Sequence, residues 1–510
     1  MRLAHVAIVV GLVVCLAGCQ APSQTPPGWL TLGVGNAPTN LDPGVGLDEA
    51  SQRMHQLIYS PLTKIGPDMR IVPDLAVRLD TADNQTYVVE IPNGVRFHDG
   101  RALTSEDVAY TFRRFLDPSF VSGRKGAYRD LAAVDVIDPV TVAFRLKTPS
   151  AAFPANLANM GIVPRGAGTE LARTPVGSGP YRVTEFVVDD HVTLEAFNGY
   201  YRGAPANAGV IVKVVPDETM RGLELRNGSV DLVVNDISPD LAHSLGSDPS
   251  LQVATGRGTD YAYIGVNLQD AHLGDKHVRH AIAYALRRTD ITQYLRRGQA
   301  RETSGIIPSM SWAYSDDLPT FAYDPAHAMR LLDEAGLTDP DGTGPAPRLR
   351  LTLKTSTAEL YRLQAAIIQQ HLQQVGIALD IRSYEFATLF SDVVRGNFQL
   401  YTLVFTGGSV ADPDILRRVF HSQQMPPSGF NRGRYRNPRV DALIDQATAA
   451  TTEAERRRLY VEAQRVIADD APVISLWARE NVAVGRKGIT GIALSPLGDL
   501  EFLRHVAVPR

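Results

Sequence analysis

The sequence predicts an α/β fold, and the region that supports this most clearly lies between residues 349 and 405. Apolar residues alternate with period two in three segments there, and they recur at helical spacing in two segments between them. The predicted strands cover residues 349–353, 377–381 and 398–405, and the predicted helices cover residues 358–375 and 387–394. Gly376 ends the first of these helices. Strand–helix–strand–helix–strand order is typical of a doubly wound sheet.

Length and charge narrow the class of protein further. The 510 residues are too many for one ordinary core, so two or three lobes are expected. With 44% hydrophobic and 21% charged residues, the composition is that of a globular protein. The formal net charge of -4 argues against a nucleic-acid-binding function. After the N-terminus, no segment is apolar for long enough to span a bilayer.

The remaining predicted elements show the same two spacings of apolar residues, period two for strands and helical spacing for helices. Predicted strands cover residues 29–35, 86–91, 140–146, 192–196, 210–215, 261–267 and 472–477. One helix begins at Thr104, where Asp107 completes a capping box. A helix pair covers residues 278–295 with a break at Thr289-Asp290, and a late helix is predicted around residues 459–467.

The N-terminus has the features of an export signal. Arg2 precedes an apolar run at residues 6–16, which is too short for a spanning helix, and Leu-Ala-Gly-Cys follows at residues 16–19. This ending resembles the lipobox of bacterial lipoproteins, in which Cys19 is acylated and becomes the first mature residue. A plain signal peptide or a chance cysteine is the alternative. The only other cysteine, Cys15, lies inside the run, so the mature domain has no disulfide.

The stretch from Phe398 to Asp414 has the pattern of a ligand-binding loop. Its alternating strand ends in a glycine pair, which leaves the backbone open to close approach by another molecule. Asp412-Pro413-Asp414 can then cap the helix suggested by the apolar residues Ile415, Leu416, Val419 and Phe420. In α/β sheets, ligands usually bind where a strand opens into such a loop. An ordinary strand-to-helix turn explains the pattern equally well.

Residues 97–112 carry the first of several ordered motifs. They read Phe-His-Asp-Gly-Arg-Ala-Leu-Thr-Ser-Glu-Asp-Val-Ala-Tyr-Thr-Phe. Further motifs follow at residues 41–43, 73–76, 177–181, 278–285, 331–336, 458–460 and 472–476. Together they resemble bacterial extracellular solute-binding protein family 5, the oligopeptide- and dipeptide-binding lipoproteins of ATP-driven (ABC) importers. The motifs cover nearly the whole mature chain in the family's order.

The resemblance implies a two-lobed periplasmic-binding-protein clamp of the large type, whose lobes are joined by two crossing strands. Residues 1–18 would be the lipoprotein signal peptide and residues 19–28 a tether. Lobe I would take residues 29–50, 175–266 and 481–510; residues 51–174 would form its extra subdomain; and lobe II would take residues 267–480. Such a clamp closes on a solute and reports occupancy to a membrane permease without covalent chemistry.

In this family, the wall of the ligand cleft coincides with the stretch from Phe398 to Asp414. Many peptide binders carry Trp-x-x-Asp there, and the aspartate pairs with the free amine of the peptide. The aligned residues are Phe405, Thr406, Gly407 and Gly408, so glycine replaces the acid. A buried ammonium without a counter-charge is costly, so a simple free peptide is a doubtful ligand. Asp412 could substitute only if the loop is aligned differently.

The resemblance and the residue chemistry together give a set of candidate ligand contacts. They are Tyr263, Asn267, Phe405, Thr406, Gly407, Gly408, Ser409, Asp412, Asn431 and Arg432. Arg432 could bind a ligand carboxylate with two parallel hydrogen bonds. A solvated basic loop at residues 431–435 is the alternative interpretation. We expect a monomer anchored to the membrane surface through Cys19, with a peptide-like solute and permease subunits as partners and no cofactor.

Rival functions have weaker support in the sequence. A metal site is suggested by the acidic and histidine residues Asp270, His272, Asp275, His277 and His280, although exposed histidines at a helix start are usually solvated. Residues 339–344 resemble a calcium loop, but Arg350 stands where its glutamate belongs. Gly177-Ser178-Gly179 lacks the first glycine of a nucleophile elbow, which argues against a secreted hydrolase. A lipoprotein that senses a ligand for a membrane receptor is not separable from a transport protein by sequence.

Overall fold

The computed structural model describes residues 26–342, 344–406, 412–427 and 429–508. Its strands are β1 (Trp29–Val34), β2 (Thr63–Ile65), β3 (Ile71–Pro73), β4 (Arg78–Asp80), β5 (Thr86–Glu90), β6 (Leu131–Asp138), β7 (Thr141–Leu146), β8 (Tyr181–Val187), β9 (His191–Ala196), β10 (Gly209–Val214), β11 (Leu232–Val234), β12 (Leu251–Val266), β13 (Ala300–Glu302), β14 (Leu349–Ser356), β15 (Ile377–Tyr384), β16 (Leu400–Phe405) and β17 (Val473–Arg486).

The α-helices are numbered in the same way. They are α1 (Glu49–Ile58), α2 (Ser105–Arg113), α3 (Phe153–Leu157), α4 (Glu218–Asn227), α5 (Pro239–Leu245), α6 (Lys276–Ala285), α7 (Pro325–Glu334), α8 (Glu359–Gln373), α9 (Phe386–Arg395), α10 (Ile415–Phe420), α11 (Pro438–Ala449) and α12 (Glu453–Asp470). The predicted break in the helix pair at residues 278–295 is real, since α6 ends at Ala285 and a π-helical segment covers Asp290–Leu295. None of the helices in the described ranges has the length and apolar character needed to cross a membrane.

One large sheet runs through the molecule. Its strand order is β15-β14-β16-β12-β17-β11-β1-β10-β9-β8, and β13 pairs with β17. β14 lies between β15 and β16 and is parallel to both, while α8 and α9 connect the three strands. This is the doubly wound arrangement that the sequence predicts for residues 349–405. Gly376 and Gly396 end α8 and α9 with φ values of 84° and 81°, a region that favours glycine.

Two long strands, β12 and β17, belong to both halves of the sheet. They pair antiparallel from Leu251 opposite Arg486 to Gly265 opposite Val473. Near one end, β17 pairs with β11, and at the other end β12 pairs with β16. The predicted pair of crossing strands is therefore present. Their register shifts between Arg257 and Tyr261, and the start of lobe II at residue 267 stays a prediction.

Several hydrophobic cores lie in different parts of the molecule. The sheet β4-β5-β7-β6 packs over a core drawn from residues 62–162. Helix α1 packs in a different core, with β1 and β8 to β10, through Met54, Leu57 and Ile58. In lobe II, two separate cores cover the two faces of the sheet. The predicted capping box is present, because the Thr104 N–H donates to the Asp107 carboxylate over 2.8 Å.

Candidate functional site

The candidate site lies where β16 ends beside β12, close to the crossing between the lobes. Phe405, the last residue of β16, pairs with Tyr261 of β12. Because side chains alternate along a strand, Tyr261, Tyr263 and Phe405 project from the same face of the sheet. The rings of Tyr261 and Tyr263 stack at 5.6 Å, and those of Tyr263 and Phe405 stack at 5.1 Å. These three rings form a flat aromatic wall.

Arg432 packs against this wall and against two further rings. Its guanidinium carbon lies 5.0 Å from the ring centroid of Phe390, 5.5 Å from that of Phe405 and 5.2 Å from that of Phe430. Its Nη1 donates a hydrogen bond of 3.2 Å to the hydroxyl of Tyr263. We call Tyr263, Phe390, Phe405, Phe430 and Arg432 the arginine–aromatic cluster. Four rings from four different chain segments thus surround one cation.

The charge of Arg432 is buried without a partner of opposite sign. The residue is 8% exposed, and among the described residues no carboxylate lies within 4.0 Å of its guanidinium. Aromatic faces offset part of the cost of burying a cation, but much less than a carboxylate does. An arginine has five N–H donors in a planar fork, and the hydroxyls of Tyr263 and Tyr401 are hydrogen-bond partners of Arg432. The arrangement is suited to a carboxylate that arrives with a ligand.

The glycine loop that follows β16 is described only at its two ends. Thr406 is exposed, and the predicted contacts Gly407, Gly408 and Ser409 lie outside the described residues. At the far end, the Asp412 carboxylate accepts a 2.8 Å bond from the Asp414 N–H just before α10 begins. This bond closes the turn before α10, whose N-terminal cap position is Asp414 and has no side-chain capping bond.

Acidic and basic groups crowd together beside this helix start. The Asp412 Oδ1 lies 3.9 Å from Nη2 of Arg456, which comes from α12. Burial raises the pKa of Asp412, and the Arg456 charge opposes that rise. Burial and the neighbouring Asp412 carboxylate raise the pKa of Asp414 to about 6, although Arg417 opposes the shift. The Asp414 carboxyl group therefore changes charge close to pH 6.

Two of the predicted contacts are occupied by bonds within the protein. Asn431 is 1% exposed, and its amide nitrogen donates to the carbonyls of His421 and Tyr435. Its side-chain oxygen accepts from the Tyr435 N–H, so the side chain shapes its own loop. Asn267 lies just past the lobe II end of β12, six residues from Tyr261, and donates to the carbonyl of Phe398. Neither side chain contributes to the arginine–aromatic cluster.

Two ion pairs connect lobe I and its subdomain to lobe II. Arg70 of the subdomain forms a bidentate pair with Glu453 at the start of α12, with N···O distances of 2.8 and 3.1 Å. Arg297 reaches Asp240 of α5 over 2.6 Å. All four side chains are substantially exposed. These pairs connect residues on opposite sides of the crossing strands, so they hold the two halves together in this conformation.

The sequence alone did not identify Phe390 and Phe430 as part of the site. Phe390 belongs to the apolar pattern of α9, which predicts a core residue, and its approach to Arg432 depends on how α9 packs. Phe430 directly precedes Asn431 and Arg432, so an aromatic residue beside a candidate arginine was the available signal. Both rings are partly buried.

The candidate metal and calcium residues show ordinary structural roles. Asp275 caps α6 by accepting from the His277 N–H, and His280 Nε2 lies 2.7 Å from the Asp469 carbonyl. Asp341 accepts from the Ala346 N–H within its turn. Within the described ranges, no group of three or more histidine, cysteine or acidic residues is arranged to hold a metal ion.

Comparisons with known proteins agree with this architecture. Residues 70–427 match the model of the bacterial extracellular solute-binding proteins, family 5 (middle region). A glutathione-binding protein of Pectobacterium atrosepticum is 30% identical over 94% of this chain and 95% of its own length. The oligopeptide-binding protein AppA of Bacillus subtilis, solved with a nonapeptide, has a TM-score of 0.78 and 26% identity over 96% of this chain and 100% of its own. The ABC transporter substrate-binding protein CtaP of Listeria monocytogenes has a TM-score of 0.84 and 25% identity over 94% of this chain and 99% of its own.

The long crossing strands of the large sheet and the similarity to solved solute-binding proteins over nearly their whole length define a solute-binding clamp of the periplasmic-binding-protein type. The family match covers well over half of the chain, and a curated relative is similar over nearly all of it. The chain belongs to family 5 of the bacterial extracellular solute-binding proteins, a family of binding proteins rather than enzymes.

Proposed function

We propose that the chain is the substrate-binding protein of an ABC importer and captures a peptide or peptide-like solute that carries a carboxylate. The observation that carries this proposal is the buried Arg432, whose guanidinium has aromatic neighbours but no carboxylate partner among the described residues. A carboxylate bound there would form charge-assisted, bidentate hydrogen bonds in a site of low polarity. The proposal is supported by similarity to a glutathione-binding protein and to a structure with bound nonapeptide.

The remaining predicted contacts suggest how the rest of the ligand would be held. Phe405 and Tyr263 offer flat apolar surface, and Thr406 to Ser409 offer backbone groups and hydroxyls. Gly408 replaces the acid that many peptide binders use for a free amine, so the ligand amine gains no ion pair at that position. Recognition would depend on the carboxylate and on backbone hydrogen bonds more than on the amine.

In this proposal, the protein works at the outer face of the membrane. Residues 1–18 would direct export, and acylated Cys19 would hold the domain at the membrane through the tether at residues 19–28. A monomer would close on its solute and deliver it to the permease subunits. Lobe I, its subdomain and lobe II would move about the crossing strands β12 and β17.

The test uses matched pairs of ligands and calorimetry on the mature chain. Glutathione and a small set of tripeptides are each compared with the derivative in which the C-terminal carboxylate is an amide. We expect at least one acid to bind, and its amide to bind about 30-fold more weakly or worse, because a buried charge pair loses one partner. Equal affinity of acid and amide would refute the role of Arg432.

A second pair of ligands tests the glycine at position 408. The best-binding acid is compared with its N-acetylated form, which has no ammonium group. Because no acid stands at Gly408, we expect the two affinities to differ by less than about tenfold. A much stronger loss on acetylation would show that another acidic residue pairs with the amine. Solutes released from the purified protein by denaturation, identified by mass spectrometry, give an independent answer.

A further inference from the structure

Lobe II contains a cavity that is separate from the arginine–aromatic cluster. Its volume is about 400 Å³, within the range of about 300–1,000 Å³ that is usual for small-molecule sites. Its walls come from α10, from the second half of α12, from the segment at residues 302–322 and from the start of β17. Every lining residue lies within residues 261–475, so all of its walls come from lobe II, and none of them belongs to the arginine–aromatic cluster.

The cavity is amphipathic. Its apolar walls are formed by the side chains of Ile306, Leu318, Leu416, Phe420, Ile467 and Ile474. Its polar lining groups include the Tyr261 and Ser475 hydroxyls, which lie 2.7 Å apart, and the amide of Gln464. Apolar walls with a few converging polar groups are the usual composition of a ligand pocket.

Gln464 carries an acceptor without a donor. The residue is 5% exposed, and its Nε2 donates to the carbonyls of Ala313 and Tyr460 over 2.9 and 3.1 Å. Those two bonds fix the orientation of the amide, so Oε1 is the atom left over. No partner for this oxygen is present among the described residues. A buried carbonyl oxygen without a hydrogen bond is destabilising, and a donor in the cavity would offset that cost.

The charged groups of the cavity also favour a donor. Arg288 is the only basic residue among its lining side chains, and it is already engaged, because Nε donates to the Ser475 carbonyl and Nη1 to the Phe321 carbonyl. The two acidic lining residues, Glu302 and Asp316, are both exposed at the rim. A ligand with an N–H or O–H group, neutral or cationic, therefore suits the cavity better than an anion does.

We propose that this cavity is a second small-molecule site, which binds a compact amphipathic molecule through a donor to Gln464 Oε1. The stacked rings of Tyr261 and Tyr263 lie between it and Arg432, and the two sites prefer opposite chemistry. Arg432 is suited to a carboxylate, whereas the cavity accepts a donor and disfavours negative charge. The second site does not depend on the nature of the solute that the cleft binds.

The test is a titration of the mature chain, labelled at isoleucine and leucine methyl groups, observed by NMR. The probes are leucinamide, N-acetyl-leucinamide and N-acetyl-leucine, which share a side chain and differ in charge. The first two should shift the methyl signals of Ile306, Leu318 and Ile467, and the anionic third probe should bind at least about tenfold more weakly. A stronger response to N-acetyl-leucine would refute the charge preference.

A cavity-filling variant and a matched control locate the binding. Ala468 lines the cavity, so A468F should weaken N-acetyl-leucinamide at least about tenfold. Ala366 is an exposed alanine on α8, and A366F should leave the probe affinity unchanged. If A468F does not fold, T320F fills the cavity from an exposed lining position and should have the same effect. No probe response in the wild-type chain, or an equal response in the filled variant, would overturn the proposal. A468F should still bind the cleft solute, which would show that the two sites are separate.

Discussion

Replacement of Arg432 by methionine should separate the contribution of this residue to binding from its contribution to stability. Methionine keeps the length and apolar contacts of the side chain but removes the charge and all five donors. Loss of one partner of a buried, hydrogen-bonded charge pair typically costs about 2–5 kcal/mol. Affinity for a carboxylate ligand should therefore fall by about 30-fold to about 4,000-fold, measured by calorimetry.

The same substitution should change the free energy of unfolding of the unliganded chain very little. Three cation–π contacts at 5.0–5.5 Å are lost, each of which contributes about 0.5–2 kcal/mol. Against this, the cost of burying an unpaired guanidinium is removed, and that cost is of the order of several kcal/mol. The two effects oppose each other, so urea unfolding should give a stability equal to or greater than that of the wild type.

Two further variants complete the experiment. R432K keeps the charge but not the planar fork, so it should bind with an affinity between those of R432M and the wild type. R173Q removes an exposed arginine that lies 4.7 Å from the Phe186 ring in lobe I, and it should bind like the wild type. The reasoning would be refuted if R432M retained wild-type affinity. It would also be refuted if R432M lost affinity only because several kcal/mol of folding stability were lost with it.

Three other predictions concern closure, pH and anchoring. E453Q breaks the exposed pair with Arg70, worth about 0–1 kcal/mol, so ligand affinity should fall by up to about fivefold at low salt. The difference should vanish at about 1 M salt, where the Debye length is about 3 Å; a loss that persists would contradict this account. Because the pKa of Asp414 is raised to about 6, its protonated form favours folding, and stability from this group is lost as pH rises from about 4 to about 6. D414N should lack that fall and should be more stable by up to about 3 kcal/mol at pH 7 in urea unfolding, whereas an unchanged pH profile would argue against it. C19A should release the protein from membranes on fractionation, and full retention would rule out acylation at this residue.

The sequence predicted those features that depend on local periodicity. Strands β14 to β16 and helices α8 and α9 fall within a few residues of the predicted bounds, because each has a regular apolar pattern and both helices are followed by a glycine. The lobe bounds stay a prediction. β12 is one unbroken strand from Leu251 to Val266 although it contains Gly256 and Gly258, so its sequence does not show where its pairing partner changes. That point is set by which strand pairs with β12 on its other side, which is long-range information.

The candidate site shows the same limit at the level of single side chains. Arg432 was singled out because it is a basic residue in a loop next to the cleft, but its four aromatic neighbours come from α9, β12, β16 and the residue at position 430. Asn431 looked equally available, yet its amide closes its own loop with three hydrogen bonds. The difference between the two neighbours is a matter of side-chain direction, which a one-dimensional pattern does not contain.

The weakness of the interlobe ion pairs is consistent with a clamp that responds to its solute. The pairs Arg70–Glu453 and Arg297–Asp240 are exposed, and such pairs contribute about 0–1 kcal/mol each. Together they favour the arrangement of the lobes seen in the structure by at most about 2 kcal/mol, which salt reduces further. A carboxylate bound at Arg432 would contribute about 2–5 kcal/mol. If part of that free energy arises from contacts made only when the lobes are closed, the solute, and not the ion pairs, determines the population of the closed state.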